Sequence, residues 1–209
     1  RSCAYERPTI CNIEEDYNLK VVSFNVENYK RVNDVQRTKI VAALKAMDAD
    51  IYALLEVFGN SSLNDLCTAL NTACQTNQYK YIENSTANQG MACFIYNSNT
   101  VIPFKELQKN RLADNGYLPD RKIAQAFDLK ANNERFIVCL NHWKAKDNSY
   151  NKPDEYADTG DGQGSHVLRR VHEAEATLEF IKTVTAYFED EDVLVVGDLN
   201  SYSKEDPIR

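Results

Sequence analysis

The stretch Val193-Leu194-Val195-Val196-Gly197-Asp198-Leu199-Asn200 decides how the rest of the chain reads. Four apolar, mostly β-branched residues that run into glycine and two polar residues describe a buried strand delivering side chains to the mouth of a sheet. Side chains alternate along an extended chain, so Asp198 and Asn200 are expected to face one spot. Taken alone, Gly, Asp and Asn after a strand also describe an ordinary turn. Three other stretches repeat the pattern and favour the first meaning.

Upstream, Arg135-Phe136-Ile137-Val138-Cys139-Leu140-Asn141-His142-Trp143 alternates so that Phe136, Val138, Leu140 and His142 share a face. Near the N-terminus, Lys20-Val21-Val22-Ser23-Phe24-Asn25 is a strand that ends in polar residues, and Asp50-Ile51-Tyr52-Ala53-Leu54-Leu55 is another that ends in Glu56. Between these two, Asn33 or Asp34 caps a helix with Ile40, Val41, Leu44 and Met47 on one face. Strand, helix and strand at this spacing predict a crossover connection, with each strand finishing in a potential ligand.

The remaining elements follow from periodicity. Ser62 and Asp65 give a helix start signal ahead of Leu63, Leu66, Cys67, Leu70, Ala73 and Cys74. Short β-prone runs at Tyr79 to Glu83, Met91 to Tyr96, Val101 to Phe104 and Ile123 to Leu129 predict antiparallel hairpins. A polar loop from Lys144 to Gly164 contains a glycine-rich segment that lacks the strand and the Lys-Ser/Thr ending of a P-loop. A last helix is expected to bury Leu168, Val171, Ala174, Leu178, Ile181, Thr185 and Phe188 before the chain returns to Val193.

Composition sets the limits. At 209 residues, 43% hydrophobic and 26% charged, the sequence is that of an ordinary globular chain with no run long enough to span a bilayer. A net charge of -7 argues against capture of a polyanion by bulk charge, so any phosphate chemistry must rest on a local basic patch or on metal ions. Six cysteines are too few for a disulfide scaffold and more than a cytosolic enzyme needs. A bridge between Cys3 and Cys11 is plausible, whereas Cys67 and Cys74 can pair only if their helix ends before Cys74. Cys93 and Cys139 fit apolar strands as core residues. The expectation is at least one disulfide and an exported protein, secreted or held in the periplasm or at the cell surface.

Hydrolysing a phosphate ester needs a hard cation on the phosphoryl oxygens, a positioned water and a group to protonate or neutralise the leaving oxygen. The four strand ends supply such a set. Glu56 and Asn25 would hold the ion, with oxygen ligands pointing to Mg2+, or to Mn2+ or Ca2+, rather than zinc. Asp198 would orient and help deprotonate water, Asn200 would donate to developing charge, and His142 would bond the phosphoryl group or act as acid. Arg121, Lys144, Lys146, Arg169 and Arg170 could line a groove for a nucleic acid strand.

In order along the chain, Ser23-Phe24-Asn25-Val26-Glu27-Asn28, Asp50-Ile51 through Leu55-Glu56, Asn141-His142-Trp143-Lys144 and Gly197-Asp198-Leu199-Asn200 resemble the motifs of the endonuclease/exonuclease/phosphatase superfamily, the DNase I-like fold. The segment from Arg121 to Phe127, the loop Gly160 to Gly164 and the ending Asn200 to Ile208 look most similar to its secreted bacterial nucleases. The resemblance implies an α/β (α+β) four-layer sandwich of two mixed β-sheets flanked by helices, spanning residues 20–209 after an N-terminal extension over 1–19. It also implies divalent-metal-dependent cleavage of DNA or RNA, with Glu56 and Asn25 on the metal side, His142, Asp198 and Asn200 catalytic, and Arg121 on the phosphate. The family pattern continues past Gly-Asp-Leu-Asn to a Ser-Asp-His ending that is not found before Arg209. The expectation is therefore a C-terminally incomplete domain, weakly active or inactive, with sheet edges or apolar surface uncovered. A phosphodiesterase or phosphatase acting on lipid or inositol headgroups, and an inactive binding domain, are the competing readings.

Overall fold

The computed structural model describes residues 19–84, 92–110, 121–146 and 157–209. Cys3, Cys11 and nearly all of the expected N-terminal extension lie outside them. Among the described residues, eight strands form two mixed four-stranded sheets. In the first, β1 (Val21–Asn25) lies parallel to β2 (Ile51–Leu55), which pairs antiparallel with β4 (Ala92–Asn97), itself antiparallel to β3 (Tyr79–Ile82). In the second, β5 (Val101–Lys109), β6 (Lys122–Leu129) and β7 (Arg135–His142) are antiparallel in turn, and β8 (Val193–Asp198) adds parallel to β7.

Each parallel pair is closed by a helical crossover, as parallel neighbours require. Helix α1 (Asp34–Met47) joins β1 to β2, and α3 (Val167–Phe188) joins β7 to β8. Asn33 starts α1 through a capping box, its side chain accepting from Gln36 N while Gln36 returns a bond to the Asn33 backbone. The second helix, α2 (Asn60–Cys74), begins earlier than expected: Gly59 is its N-cap, and Ser62 lies buried inside it. It runs through Cys74, so Cys67 and Cys74 stay a helical span apart and both are free, as are Cys93 and Cys139. No disulfide forms among the described cysteines, and the Cys3–Cys11 pair lies outside them.

The layers are set by which face of each strand is apolar. Tyr52 and Leu54 of β2 pack with Leu44 of α1 and with Leu63, Leu66 and Leu70 of α2. Ile51, Ala53 and Leu55 on the opposite face meet Ile123, Phe127, Val138 and Leu140 of the second sheet. Because both faces of β2 are covered, all five of its residues are buried and its sequence shows no alternation. Ile137 and Cys139 face outward instead, onto Phe180, Val184 and Phe188 of α3. The order is helix, sheet, sheet, helix: the four-layer sandwich expected from the motifs.

Two elements differ from their sequence reading. Helix α3 buries Arg170, Glu173, Thr177, Phe180, Val184 and Phe188, while Leu168 and Leu178 are exposed. Its inward stripe is therefore rotated from the expected one, because charged side chains rather than leucines fill the space under its first turns. Among the described residues strand β8 is an edge, paired only with β7, and its Leu194 and Val195 are 42% and 41% exposed. The apolar run there marks a strand with an uncovered side rather than a fully buried one. Strand β5 extends to Lys109 through an irregularity between Phe104 and Gln108, where Gln125 of β6 donates to the Phe104 carbonyl at 2.9 Å. That bond satisfies an acceptor the ladder leaves open.

Candidate active site

The ends of β1, β2, β7 and β8 meet at one end of the sandwich. Asn25 is the last residue of β1 and Asp198 the last of β8. His142 closes β7 in register with Asp198, and Trp143 N donates to Asp198 O at 3.0 Å. Glu56 follows β2 with φ of 64°, a left-handed turn held where Tyr29 N donates to the Glu56 carbonyl at 3.0 Å. Glu27, Asn28, Phe58 and Asn200 also take positive φ around these strand ends. Left-handed backbone costs a non-glycine residue about 1 kcal/mol or more, so their concentration here marks a surface whose shape is held by its surroundings.

The polar atoms converge. Asn25 Nδ2 donates to Glu56 Oε1 at 3.1 Å and to Asp198 Oδ2 at 3.3 Å, linking residues 173 positions apart. His142 Nε2 lies 3.8 Å from Glu56 Oε1 and 4.0 Å from Asp198 Oδ2. Burial holds the His142 pKa below its ordinary value, and the positive charge of Arg121 works the same way, against the pull of Asp198 and Glu56. Among the described residues His142 Nδ1 is buried without a hydrogen-bond partner. The imidazole, its charged form disfavoured, therefore faces two carboxylates.

Asp198 and Asn200 do lie together, though not by strand alternation. The strand stops at Asp198, Asn200 turns left-handed at φ 48°, and its backbone N–H donates to Asp198 Oδ1 at 3.1 Å. One N–H of the Asn200 side chain is taken by the Trp143 carbonyl at 3.0 Å. Gly197 makes the approach of β8 to β7 possible. With φ of 135°, a Cβ at this position would sit 1.8 Å from the Asn141 carbonyl oxygen.

A hard cation fits this donor set in one respect and not in another. Glu56 offers a partly exposed carboxylate beside Asp198, with no ammonium or guanidinium bonded to it among the described residues, and two carboxylates joined by one amide call for a counter-charge. Asn25 does not present its oxygen: Oδ1 accepts from Glu27 N at 2.9 Å, so the amide nitrogen faces the carboxylates. Among the described residues no three His, Cys, Asp or Glu side chains converge closely enough to chelate an ion alone. Magnesium is commonly held by one or two carboxylates, with water and substrate oxygens completing the shell.

The basic residues divide. Arg121 stands near enough to His142 to act on it electrostatically. Arg170 is withdrawn from any substrate: it is fully buried, and its guanidinium donates to Ser201 Oγ at 3.1 Å, Ser165 O at 2.8 Å and Gln163 O at 2.9 Å. The sequence reading of Arg170 as a substrate contact is corrected accordingly, since saturation by carbonyls makes it a brace between the glycine-rich loop and the segment after β8. Beside it, Lys122 and Glu173 form a buried ion pair at 3.1 Å, and Glu173 Oε2 accepts from Lys144 N at 2.7 Å. Lys146 pairs with Glu205 and lies over the Tyr202 ring, 4.4 Å from its centroid. Lys146, Gly197, Asp198, Leu199, Asn200, Ser201 and Tyr202 line a cavity of about 480 Å³. Neither Glu173 nor Tyr202 stood out in the sequence, because a Glu on a helix and a Tyr beyond a strand are both ordinary surface residues.

No protein-family model matches the sequence, and neither does any curated protein. Solved structures do. The catalytic domain of human Nocturnin with a bound sulfate anion superposes with a TM-score of 0.61 at 17% identity, over 91% of this chain and 67% of that one. The mannosyl-6-phosphatase of Bacteroides thetaiotaomicron gives 0.58 at 16% identity, over 91% and 70%. TDP2 of D. rerio, complexed with a single-strand DNA product, gives 0.57 at 14%, over 90% and 62%. Others are described as members of the endonuclease/exonuclease/phosphatase family. These likenesses establish the DNase I-like fold. The chain spans about two thirds of the length of the structures it matches.

Proposed function

We propose that this chain carries the hydrolytic site of a divalent-metal-dependent phosphodiesterase acting on nucleic acid, in the manner of a secreted endonuclease. The observation that carries the proposal is the convergence of Asn25, Glu56, His142 and Asp198 from four strand ends within hydrogen-bonding or ion-pair distance. The DNA-bound TDP2 structure is a precedent for such a substrate on this fold.

Glu56 would hold the ion, with Asn25 beside it on the metal side of the site. When bound, the ion supplies positive charge to the phosphoryl oxygens. Asp198 is oriented by the Asn200 backbone N–H and presents Oδ2 as acceptor for a proton of the attacking water. His142, whose charged form is disfavoured by burial, would donate its Nε2–H to the phosphoryl group. Asn200 has its second side-chain N–H for charge that develops on oxygen.

A second reading is a phosphatase or phosphodiesterase acting on a smaller headgroup. It is favoured by the loss of Arg170 from the basic groove and the neutralisation of Lys146 by Glu205, which leave a short positive track. It is favoured also by the likeness to a mannosyl-6-phosphatase. Cleavage of supercoiled DNA, RNA and sphingomyelin, side by side with and without EDTA, separates the two. The nucleic acid reading expects EDTA-sensitive cleavage of DNA or RNA that Glu56→Ala abolishes. Metal-dependent cleavage that survives this substitution overturns the assignment of Glu56.

A further inference from the structure

Tyr202 is 76% exposed, the most exposed of the large hydrophobic side chains among the described residues, yet its backbone is firmly held. Glu205 N donates to the Tyr202 carbonyl at 3.0 Å, and the neighbouring Ser201 is fixed by Arg170. Downstream, Asp206 and Gln163 exchange two hydrogen bonds, Asp206 N to Gln163 Oε1 at 2.8 Å and Gln163 Nε2 to Asp206 Oδ2 at 3.0 Å. A side chain left mostly to solvent gains little from so rigid a base. A side chain waiting for a flat ligand does gain, because a preorganised ring loses little entropy on binding.

The surroundings state what the ligand is. The ring lines the cavity of about 480 Å³ that also contains Asp198 and Asn200, a volume typical of small-ligand sites at roughly 300–1,000 Å³. Lys146 Nζ stands over the ring at 4.4 Å from its centroid, held there by Glu205, so one π-face is engaged by a cation while the residue stays 76% exposed. A flat, uncharged, aromatic group attached to the phosphoester at Asp198 meets these conditions. A sugar or an alkyl chain has no π-face to match.

We propose that Tyr202 is a stacking platform for the nucleobase adjacent to the scissile phosphate, with Lys146 fixed behind the ring. The proposal rests on the nucleic acid reading of the same site and names the part of the substrate that this cavity takes.

The test is equilibrium binding of short fluorescent single-stranded oligonucleotides, one with all its bases and one abasic at central positions, measured by anisotropy in EDTA with the 209-residue protein. Cleavage of the same strands in Mg2+ is followed in parallel. The base-bearing strand is expected to bind more tightly, and Tyr202→Ala is expected to reduce that preference by roughly five- to a hundredfold, the range for loss of one base stack. Tyr202→Phe is expected to keep it, since the π-face and not the hydroxyl is used. Equal binding of the two strands by the parent protein, or a preference unchanged in Tyr202→Ala, overturns the stacking platform. A Tyr202-dependent preference without cleavage supports the stacking platform alone, since a chain of this length is expected to be weakly active or inactive.

Discussion

Replacing Gly197 by alanine tests the geometry on which the site depends. The added methyl would lie 1.8 Å from the Asn141 carbonyl oxygen, 2.8 Å from its carbon and 2.9 Å from the Asn141 nitrogen. All three atoms are backbone, so no rotamer change relieves the contact. The tip of β8 must move until 1.8 Å becomes at least 3.0 Å, a shift of about 1.2 Å away from β7. That shift breaks the ladder where His142 faces Asp198, including the bond from Trp143 N to Asp198 O. Two lost backbone bonds at about 1 kcal/mol each, with roughly 1–3 kcal/mol for an L-residue in this backbone conformation, total about 3–5 kcal/mol. For a domain of this size that is a fall in Tm of about 6–20 °C. A displacement near 1 Å at a catalytic group can also cost about a hundredfold in turnover. Gly160 is the internal control, since its φ is +76° and nothing lies within 4 Å of a methyl added there. Gly160→Ala should cost about 1 kcal/mol, or about 2–4 °C. Thermal unfolding followed by circular dichroism reads both. If the two variants melt within experimental error of each other, the close approach of β8 to β7 is not as described.

Three further outcomes follow from the same structure. Glu173→Leu removes the carboxylate 3.1 Å from the fully buried Lys122 and should destabilise by about 3–5 kcal/mol in urea unfolding, with Lys122→Met in the same chain restoring most of it; a single-variant cost below about 1 kcal/mol contradicts the buried pair. Alkylation at pH 8 should modify Cys74 first among the four described cysteines of the native protein, because burial pushes the Cys67 and Cys139 thiols up to about 11 and Cys93 higher still. Peptide mapping after denaturation without reductant should find all four labelled, and a protected pair among them would contradict the free thiols. Mg2+ at about a hundred times its dissociation constant should add about 2.7 kcal/mol of stability, seen as a rise in Tm that Glu56→Ala removes. A parent melting curve indifferent to Mg2+ speaks against an ion at Glu56.

The strand ends are legible in the sequence because each combines a short apolar run with a polar terminus, and four such patterns in order leave few arrangements. Strand β7 is legible too: Phe136, Val138 and Leu140 do share the inter-sheet face, opposite Ile137 and Cys139. Helix α3 departs from its sequence reading for a physical reason. Hydrophobic periodicity assumes that the buried stripe is apolar, and here Arg170 and Glu173 lie inward because they find carbonyls, a lysine and a backbone N–H to satisfy them. Such partners come from β6, from the segment after β7 and from the glycine-rich loop, so nothing local to residues 167–188 announces them. Asn25 shows the same limit on a smaller scale. Its place at the site follows from the end of β1, whereas the direction of its amide depends on Glu27 N and on two carboxylates from other strands.

The two strands that bring Asn25 and Asp198 to the site are both outermost in their sheets among the described residues, whereas β2 and β7, which bring Glu56 and His142, are flanked on both sides. The pocket thus has a stiff half and a compliant half. The span between Asn25 and Asp198 is its softest dimension, and any molecule that lays a strand along the free side of β1 or β8 would alter the grip of the pocket without entering it.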